Sequence, residues 1–226
     1  MQDKTGMLDL AAFAAALATR AAALPPGRRL LAALAGPPGA GKSTAAEALA
    51  ALLTARHALP AQAVPMDGFH YDDAVLRDRG LLARKGAPET FDVDGLTALL
   101  DRLRGGEGPS PPEVAVPLFD RSLEISRAGA RIVRTQTRVA VVEGNWLLLN
   151  EAPWDALAPR FDVTAMLVCD PEALRARLSR RWRDLDFPPE AQRRKLDEVD
   201  LPNARRVAEA SRPADYLVDG ADPGAL

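Results

Sequence analysis

The amino-acid sequence predicts an α/β fold in which five parallel strands form one sheet with helices on both faces. Two observations support this prediction. Short apolar runs alternate with helix-like segments along the chain, which is typical of parallel strands joined by crossover helices. The first apolar run also leads directly into a glycine-rich segment and a further helix-like segment. Because 226 residues suffice for one such sheet and its helices, we expect a single domain over residues 1–226.

Turn signals and polar residues divide the chain into the elements of this fold. The first strand is Leu30 to Ala35, and a helix over 94–103 has acidic residues at its start and Gly105-Gly106 after its end. The other predicted strands are 61–66, 139–142, 163–169 and 216–218, and the other predicted helices are 42–53, 72–79, 171–183 and 189–199. Residues 114–116 are predicted as a short extended piece, and the alternating apolar residues from Ala130 predict a small hairpin arm leading into strand 139–142.

The alanine-rich segment 10–24 resembles the apolar core of a secretion signal. However, Arg20 interrupts it, and the charges before it are of both signs. We therefore expect residues 1–27 to contain a helix packed on the domain. No apolar run approaches the roughly 20 residues that a membrane span requires, so the sequence predicts a cytoplasmic protein with no membrane partner.

Composition excludes some classes of partner. With 29 basic and 31 acidic residues, the formal net charge is -2, so bulk electrostatics give no argument for nucleic-acid binding. The one cysteine, Cys169, excludes an internal disulfide, and its place after apolar residues predicts a buried strand thiol in a reducing compartment.

The most specific motif is the segment 36–44, which fits the GxxxxGK[ST] pattern of a phosphate-binding loop. A strand precedes the segment and a helix follows it, so that backbone N–H groups and the helix dipole converge on phosphate oxygens. Lys42 then reaches the β- and γ-phosphates, and the Ser43 hydroxyl holds Mg²⁺. A plain glycine turn is the alternative, but all fixed positions and both flanks fit the motif. The predicted nucleotide-binding residues are Gly36, Pro37, Pro38, Gly39, Ala40, Gly41, Lys42, Ser43 and Thr44.

Two acidic residues follow predicted strands, at the sheet edge where open α/β proteins bind ligands. Asp67 precedes a loop with His70 and Tyr71, and it is a candidate base for an attacking hydroxyl or a metal ligand through water. Glu143 ends the run 139–142 and is a candidate Mg²⁺ anchor. The structural alternatives are a loop-capping role for Asp67 and a salt bridge between Glu143 and an arginine.

Five arginines fall within residues 175–183. The helical period places Arg177, Arg180 and Arg181 on one face, where they repel one another unless an anion lies among them. This pattern predicts a lid over residues 171–199 that covers the phosphates. The alternative is a solvated basic face.

The segment 117–122 combines Phe119, an acid and Arg121 after an extended piece. Such a combination suits recognition of a small polar substrate. A turn with a local pair between Asp120 and Arg121 would give the same pattern, and the sequence leaves both interpretations open.

Taken in order, these motifs resemble those of the uridine kinase, pantothenate kinase and phosphoribulokinase superfamily of P-loop kinases. The segments that carry the resemblance are GPPGAGKST, PMDGFHYD, RKGAPETFDVDGL, VPLFDRS, VVEGNWLLL and RLSRRWRD, which lie between residues 31 and 219. Within the superfamily, the chain is most similar to short bacterial proteins of the nucleoside/nucleotide kinase family. Some of these carry the name fructose transport system kinase, which states a context more than an activity.

The resemblance implies a P-loop NTPase fold with a helical lid, and ATP and Mg²⁺ as cofactors. It implies that Asp67 is the catalytic base, that Lys42 and Ser43 bind phosphate and Mg²⁺, and that Glu143 supports the metal. It also implies that Arg177 and Arg180 belong to the lid and that Asn203 lies near the adenine. The candidate acceptor-binding residues are His70, Tyr71, Arg84, Phe119 and Arg121.

We therefore expect an ATP-dependent kinase that phosphorylates a hydroxyl of a small metabolite. Arg84 lies in a segment similar to pantothenate kinases and His70 in one nearer to nucleoside kinases, so nucleosides, pantothenate-like acids and sugars all stay open. The alternative is an ATPase switch acting on a protein partner. Residues 92–95 match the DxxG switch signature, but they follow no apolar strand and no NKxD motif is present. The sequence does not decide between a monomer and a homodimer.

Overall fold

The core of the molecule is a sheet of five parallel strands, as the sequence predicts. The computed structural model describes residues 6–220. The strands are β1 (Leu30–Ala35), β2 (Ala61–Pro65), β5 (Val139–Gly144), β6 (Val163–Val168) and β7 (Tyr216–Asp219), and β3 and β4 form a separate hairpin described below. Their spatial order is β2-β5-β1-β6-β7, which places β1 in the centre.

Helices cover both faces of this sheet. The helices are α1 (Leu10–Ala22), α2 (Lys42–His57), α3 (Asp73–Asp78), α4 (Val93–Arg104), α5 (Pro171–Asp184), α6 (Pro189–Arg194) and α7 (Leu201–Ala210). Leu30, Ala32 and Leu34 of β1 pack with α1 and α2, whereas Leu31 and Ala33 pack with α4 and α7 on the other face. Because successive strand side chains point to opposite faces, a wholly apolar β1 fills two cores.

The alanine-rich segment near the N-terminus forms α1. Its buried residues include Leu10, Phe13 and Leu17, and the Phe13 ring lies 5.6 Å from that of Tyr216 on β7. Residues 1–5 of the predicted N-terminal segment, and residues 221–226 of the predicted domain, lie outside the described residues. Within residues 6–220, no helix combines the length and the apolar character that crossing a bilayer demands.

The hairpin arm starts earlier in the chain than predicted. It pairs β3 (Val114–Asp120) with β4 (Ile125–Val133) in antiparallel register. The predicted bounds were wrong because residues 127–130 are exposed and follow no alternating apolar pattern.

A fully buried arginine anchors the base of this arm. The Arg29 guanidinium donates to the carbonyls of Leu103, Pro112, Arg134 and Thr137 at 2.6–3.1 Å. Burial lowers the pKa of Arg29 to about 10, which still leaves it charged at neutral pH. Pro112 precedes β3 and Arg134 follows β4, so one side chain fixes both ends of the hairpin to the start of β1.

The predicted helix 189–199 is interrupted. After α6, residues Lys195–Asp200 form a π-helical segment that continues into α7. Such wide turns are rare and recur at functional sites because they displace side chains from the regular helical positions.

Candidate active site

The register of the sheet brings three loops to one edge. Leu34 of β1 and Pro65 of β2 both lie opposite Glu143 of β5. The loops that follow these strands therefore begin side by side, at the carboxyl ends where parallel sheets bind ligands. They surround a cavity of about 310 Å³.

The phosphate-binding loop has the backbone that anion binding requires. Gly39 and Gly41 have φ values of +79° and +90°, a region that favours glycine. No side chain caps the start of α2 at Gly41, and residues 41–44 line the cavity. The free N–H groups and the dipole of α2 thus point positive charge at the cavity, and a phosphate group fits there.

The loop lysine is buried and fixed by hydrogen bonds. Lys42 Nζ donates to Asn145 Oδ1 at 2.6 Å and to the Pro37 carbonyl at 2.9 Å. Burial lowers the pKa of Lys42 to about 8, partly offset by attraction to Glu143 and Asp67. Lys42 is therefore mostly charged at neutral pH and held toward the cavity.

Ser43 and Glu143 form the donor set of a candidate Mg²⁺ site. Ser43 Oγ donates to Glu143 Oε1 at 2.8 Å, and no arginine forms an ion pair with Glu143 among residues 6–220. Burial raises the pKa of Glu143, and the nearby Asp67 carboxylate raises it further. A buried carboxylate beside a hydroxyl is costly without a cation and suits Mg²⁺, which prefers oxygen ligands.

Asp67 lies in a short 3₁₀ turn, Met66–Phe69, directly after β2. The hairpin passes so close to this turn that a Cβ at Gly68 would lie 2.4 Å from the Pro117 carbonyl. Burial would raise the pKa of Asp67, but the positive field of Arg121, followed by His70, Lys42 and Arg181, outweighs burial and holds it below its usual range. Asp67 is consequently ionised at neutral pH.

Arg121 reaches Asp67 from the hairpin tip. Arg121 Nη2 donates to Asp67 Oδ2 at 2.6 Å. Asp120 instead contacts Arg127 at 3.4 Å and accepts from Ser122. The tip therefore does not form the local pair between Asp120 and Arg121, and Arg121 and Phe119 both line the cavity.

His70 lines the cavity, but Tyr71 does not. The His70 ring lies between those of Phe91 and Phe119, at centroid distances of 4.0 and 4.7 Å. Burial lowers the pKa of His70, so it is neutral at physiological pH. Tyr71 instead packs its ring under Arg79, and the structure gives it no place beside the acceptor.

Lys85, not Arg84, faces the cavity. Arg84 is largely exposed and pairs with Glu89 at 2.6 Å, which directs it away from the predicted acceptor site. Lys85 is buried, and its Nζ lies 2.6 Å from Asp73 Oδ1.

The segment that carries Lys85 is fixed at Gly86. Trp146 Nε1 and Asn203 Nδ2 each donate to the Gly86 carbonyl at 3.2 Å. Asn203 therefore lies with the segment expected to recognise the acceptor, and this contact does not support its predicted place at the adenine.

The three arginines of α5 that were predicted to share one face, Arg177, Arg180 and Arg181, lie in three different environments. Arg177 donates to the carbonyls of Ala40 and Gly220 at 3.1 and 3.2 Å, so it ties α5 to the phosphate-binding loop. Arg181 lines the cavity, whereas Arg180 is exposed and does not. Of these two neighbours, it is therefore Arg181 and not the predicted Arg180 that faces the cavity. Cys169 is only partly buried, contrary to prediction, because it follows the end of β6.

Several cavity residues carried no sequence signal strong enough to select them. Asn145 follows the strand-end Glu143 and could have been found by its position. The others are Lys85, Trp182, Lys195 and Asp200, which distant segments bring together. Trp182 Nε1 donates to Asp200 Oδ2 at 2.6 Å.

The DxxG-like residues 92–95 start a helix. Asp92 is the N-cap of α4 and accepts from the Gly95 N–H at 2.9 Å. The pattern is therefore explained by helix capping, and Asp92 does not line the cavity.

Three similar proteins connect this geometry to known chains, although no family model matches the sequence. The uncharacterised protein YggC of Escherichia coli K12 is 34% identical over 200 residues, covering 88% of this chain and 81% of its own. A provisionally named uridine kinase of Schizosaccharomyces pombe is 33% identical over 162 residues, covering 68% and 66%. The solved structure of a provisionally named fructose transport system kinase from Silicibacter sp. TM1040 is 44% identical with a TM-score of 0.83, covering 93% and 98%.

A phosphate-binding loop, an acid pair and basic groups around one cavity define a phosphotransferase with the P-loop NTPase fold. The comparisons support the same class. The chain belongs to the superfamily of P-loop kinases that includes uridine kinases and pantothenate kinases.

Proposed function

We propose that this kinase transfers the γ-phosphate of ATP to a hydroxyl of a small metabolite, with Asp67 as the base. The observation that supports it is the position of Asp67, which is ionised and lines the same cavity as Lys42 and the pair of Ser43 and Glu143. A hydroxyl bound at Asp67 would lie against the phosphate-binding loop, and holding both reactants together contributes much of the rate of phosphoryl transfer.

The donor side binds the nucleotide phosphates. The N–H groups at the start of α2 and the Lys42 ammonium supply positive charge to the β- and γ-phosphates. Ser43 and Glu143 are the residues that would hold Mg²⁺, which when bound neutralises charge on the phosphates. Asn145 keeps Lys42 in position through the hydrogen bond at 2.6 Å.

The acceptor side orients and deprotonates the hydroxyl. Asp67 accepts the hydroxyl proton as the bond to phosphorus forms. Arg121 fixes the Asp67 carboxylate, and Arg181 adds positive charge where charge develops on the transferred group.

The segment 171–199 acts as a lid in this proposal. It carries Arg181 and Trp182 of α5 and Lys195 of the π-helical segment, all of which line the cavity. Closing such a segment over bound ATP excludes water and limits hydrolysis of the nucleotide.

The test is ADP release measured with and without candidate acceptors from the nucleoside, sugar and hydroxy-acid classes. A kinase consumes ATP rapidly only when its acceptor is present. A switch hydrolyses ATP slowly whatever small molecule is added, and uniform slow hydrolysis across all three classes would contradict the proposal. Asp67→Ala should abolish transfer while ATP still binds.

A further inference from the structure

The aromatic rings in the acceptor half of the cavity already pack against other rings and cations of the protein. Under the proposed function, the cavity residues that we assign to the acceptor half are Asp67, His70, Phe119, Trp182, Lys195 and Asp200. The His70 ring packs between Phe91 and Phe119, and the Phe119 ring also has the Lys85 ammonium at 5.0 Å and the Arg121 guanidinium at 6.0 Å. Base recognition usually needs an open ring face for stacking. These rings offer little such area, which argues against a nucleoside acceptor.

The Trp182 ring likewise packs against one ring and two cations of the protein. Its ring lies 5.1 Å from Phe187, 5.4 Å from the Arg181 guanidinium and 5.8 Å from Lys195 Nζ. Trp182 therefore positions two cations at the wall of the cavity through cation–π contacts.

These two cations differ from Lys85 and Arg121, which also line the cavity. Lys85 is matched by Asp73 and Glu124, and Arg121 by Asp67. Within the described residues 6–220, neither Arg181 nor Lys195 has a carboxylate oxygen within 4.0 Å. Asp200 acts on both cations, and Asp67 and Glu124 also act on Arg181, so Lys195 is the cavity cation that shares its nearby acid with Arg181 and pairs directly with none among the described residues.

The two cations also differ in the carboxylates that they affect most. Arg181 is among the charges that act most strongly on both Asp67 and Asp200. Lys195 is among those that act most strongly on Asp200 but not on Asp67. We therefore assign Arg181 to the transferred phosphoryl group and Lys195, which also lines the cavity, to the part of the acceptor away from Asp67.

We propose that the acceptor is a small hydroxylated anion, whose carboxylate or phosphate group binds Lys195 while its reacting hydroxyl lies at Asp67. This inference rests on the kinase function proposed above. In the reaction, the acceptor oxygen forms a bond to the γ-phosphorus, and the bond from that phosphorus to the β–γ bridging oxygen breaks. ADP leaves with that electron pair, and Asp67 takes the hydroxyl proton.

The first experiment compares acceptors that differ only in their charged group. ADP release is measured at saturating Mg²⁺ and ATP with three sets of acceptors. The first set is D-glycerate, glycerol 3-phosphate and glycerol, and the second is pantothenate and pantothenyl alcohol. The third is fructose 1-phosphate and fructose, and uridine is added as a neutral nucleoside. The anionic member of at least one set should have a kcat/KM about 100-fold above its neutral partner, because the unmatched Lys195 stabilises only the anion. Comparison of the carboxylate acceptors with the phosphate acceptors shows which of the two anionic groups the site binds.

The second experiment removes the cation. Lys195→Gln should raise KM for the anionic acceptor about 10-fold or more and leave KM for ATP unchanged, and Lys195→Arg should restore binding. Arg193→Gln, an exposed position on α6, is the matched control and should change neither constant. An unchanged acceptor KM in Lys195→Gln overturns the inference.

Binding without turnover separates this inference from the proposed function. Trp146 and Trp154 are buried in the core, so the fluorescence difference between the natural protein and Trp182→Phe reports on the cavity. If some acceptor is phosphorylated but neutral sugars or uridine are preferred, the kinase function stands and the anion inference fails. If none is phosphorylated, quenching of Trp182 by the acids that is lost in Lys195→Gln supports an anion site, and no quenching by any acid overturns it.

Discussion

The donor and acceptor halves of the proposed active site are built in different ways. The donor half is almost continuous in sequence, because residues 30–44 supply a strand, a loop and a helix start, and Glu143 comes from the adjacent strand. The acceptor half draws on the hairpin tip, the segment around Lys85, α5 and the π-helical segment. The first is defined by backbone geometry and the second by side-chain packing, so the acceptor can change without disturbing nucleotide binding.

The two halves also differ in how firmly their residues are held. Lys42 is 8% exposed and bonded to the protein on two sides. The side chain of Arg121 is 45% exposed, and it reaches Asp67 from the end of a two-stranded arm. We therefore expect substitutions in the donor half to affect every acceptor equally, and those in the acceptor half to affect acceptors selectively.

The largest effect is expected for Asp67→Asn, because Asp67 is where the two halves meet. Removing the base should lower kcat about 1,000-fold, with KM for ATP little changed. Steady-state ADP release and nucleotide titration measure both constants. Asp92→Asn, the same change at the helix cap, is the control and should retain kcat. If Asp92→Asn were the more damaging substitution, the switch alternative would gain support.

The next effect is expected in α5. Arg181→Gln should lower the single-turnover rate about 100-fold, since Arg181 supplies charge near the reacting centre. Arg180→Gln, one residue earlier and exposed, should change the rate by no more than about 2-fold. Equal losses in both variants would show that the arginines act as a general basic face.

A smaller effect, confined to the donor half, is expected for Glu143→Gln. The apparent affinity for Mg²⁺ should fall about 10-fold or more, because the amide replaces a carboxylate ligand. Titration of activity with Mg²⁺ measures this change, and Glu47→Gln on the exposed face of α2 is the control. A rise in acceptor KM with unchanged Mg²⁺ dependence would contradict the assignment.

The smallest effect is expected for Asp200→Asn in the acceptor half, measured as stability. Burial raises the pKa of Asp200 above its ordinary value of 3.8, despite the Trp182 hydrogen bond. The folded state therefore binds more protons than the unfolded state, and its stability decreases as pH rises above about 4 through the folded pKa. Asparagine keeps an oxygen for Trp182 without ionising, so the free energy of unfolding at pH 7 should rise by up to about 1 kcal/mol.

Thermal unfolding across pH checks this expectation. Asp197→Asn, an exposed position in the same π-helical segment, should leave the profile unchanged. A loss of stability in Asp200→Asn at pH 7 would mean that attraction between the charged carboxylate and Arg181 or Lys195 outweighs the cost of burial.

Local signals in the sequence predicted the donor half well. The run 30–35 and the loop after it were placed correctly, because β1 is apolar throughout and a phosphate-binding loop needs fixed glycines and a lysine. Asp67 and Glu143 followed from the rule that ligands bind at strand ends. These predictions need only short-range patterns and the parallel topology.

The acceptor half was predicted less well because its contacts are long-range. Arg84 and Lys85 are adjacent, and the contacts that turn Lys85 inward are its bond to Asp73 and the bond from Trp146 to the next residue, Gly86. Arg180 and Arg181 are equally adjacent, and the π-helical turn that positions Lys195 has no sequence pattern of its own. Side-chain direction at such positions depends on neighbours 12 to 117 residues away.

Arg29 restricts how the hairpin arm can move. Its guanidinium holds the carbonyls of Pro112 and Arg134, so the root of the arm is fixed. The tip is held separately, where Arg121 contacts Asp67 and Lys85 contacts Glu124. Between these two ends the pairing register shifts at Val116 and Leu118, so the strands are least regularly bonded there and movement of the arm as a whole would bend it at that point.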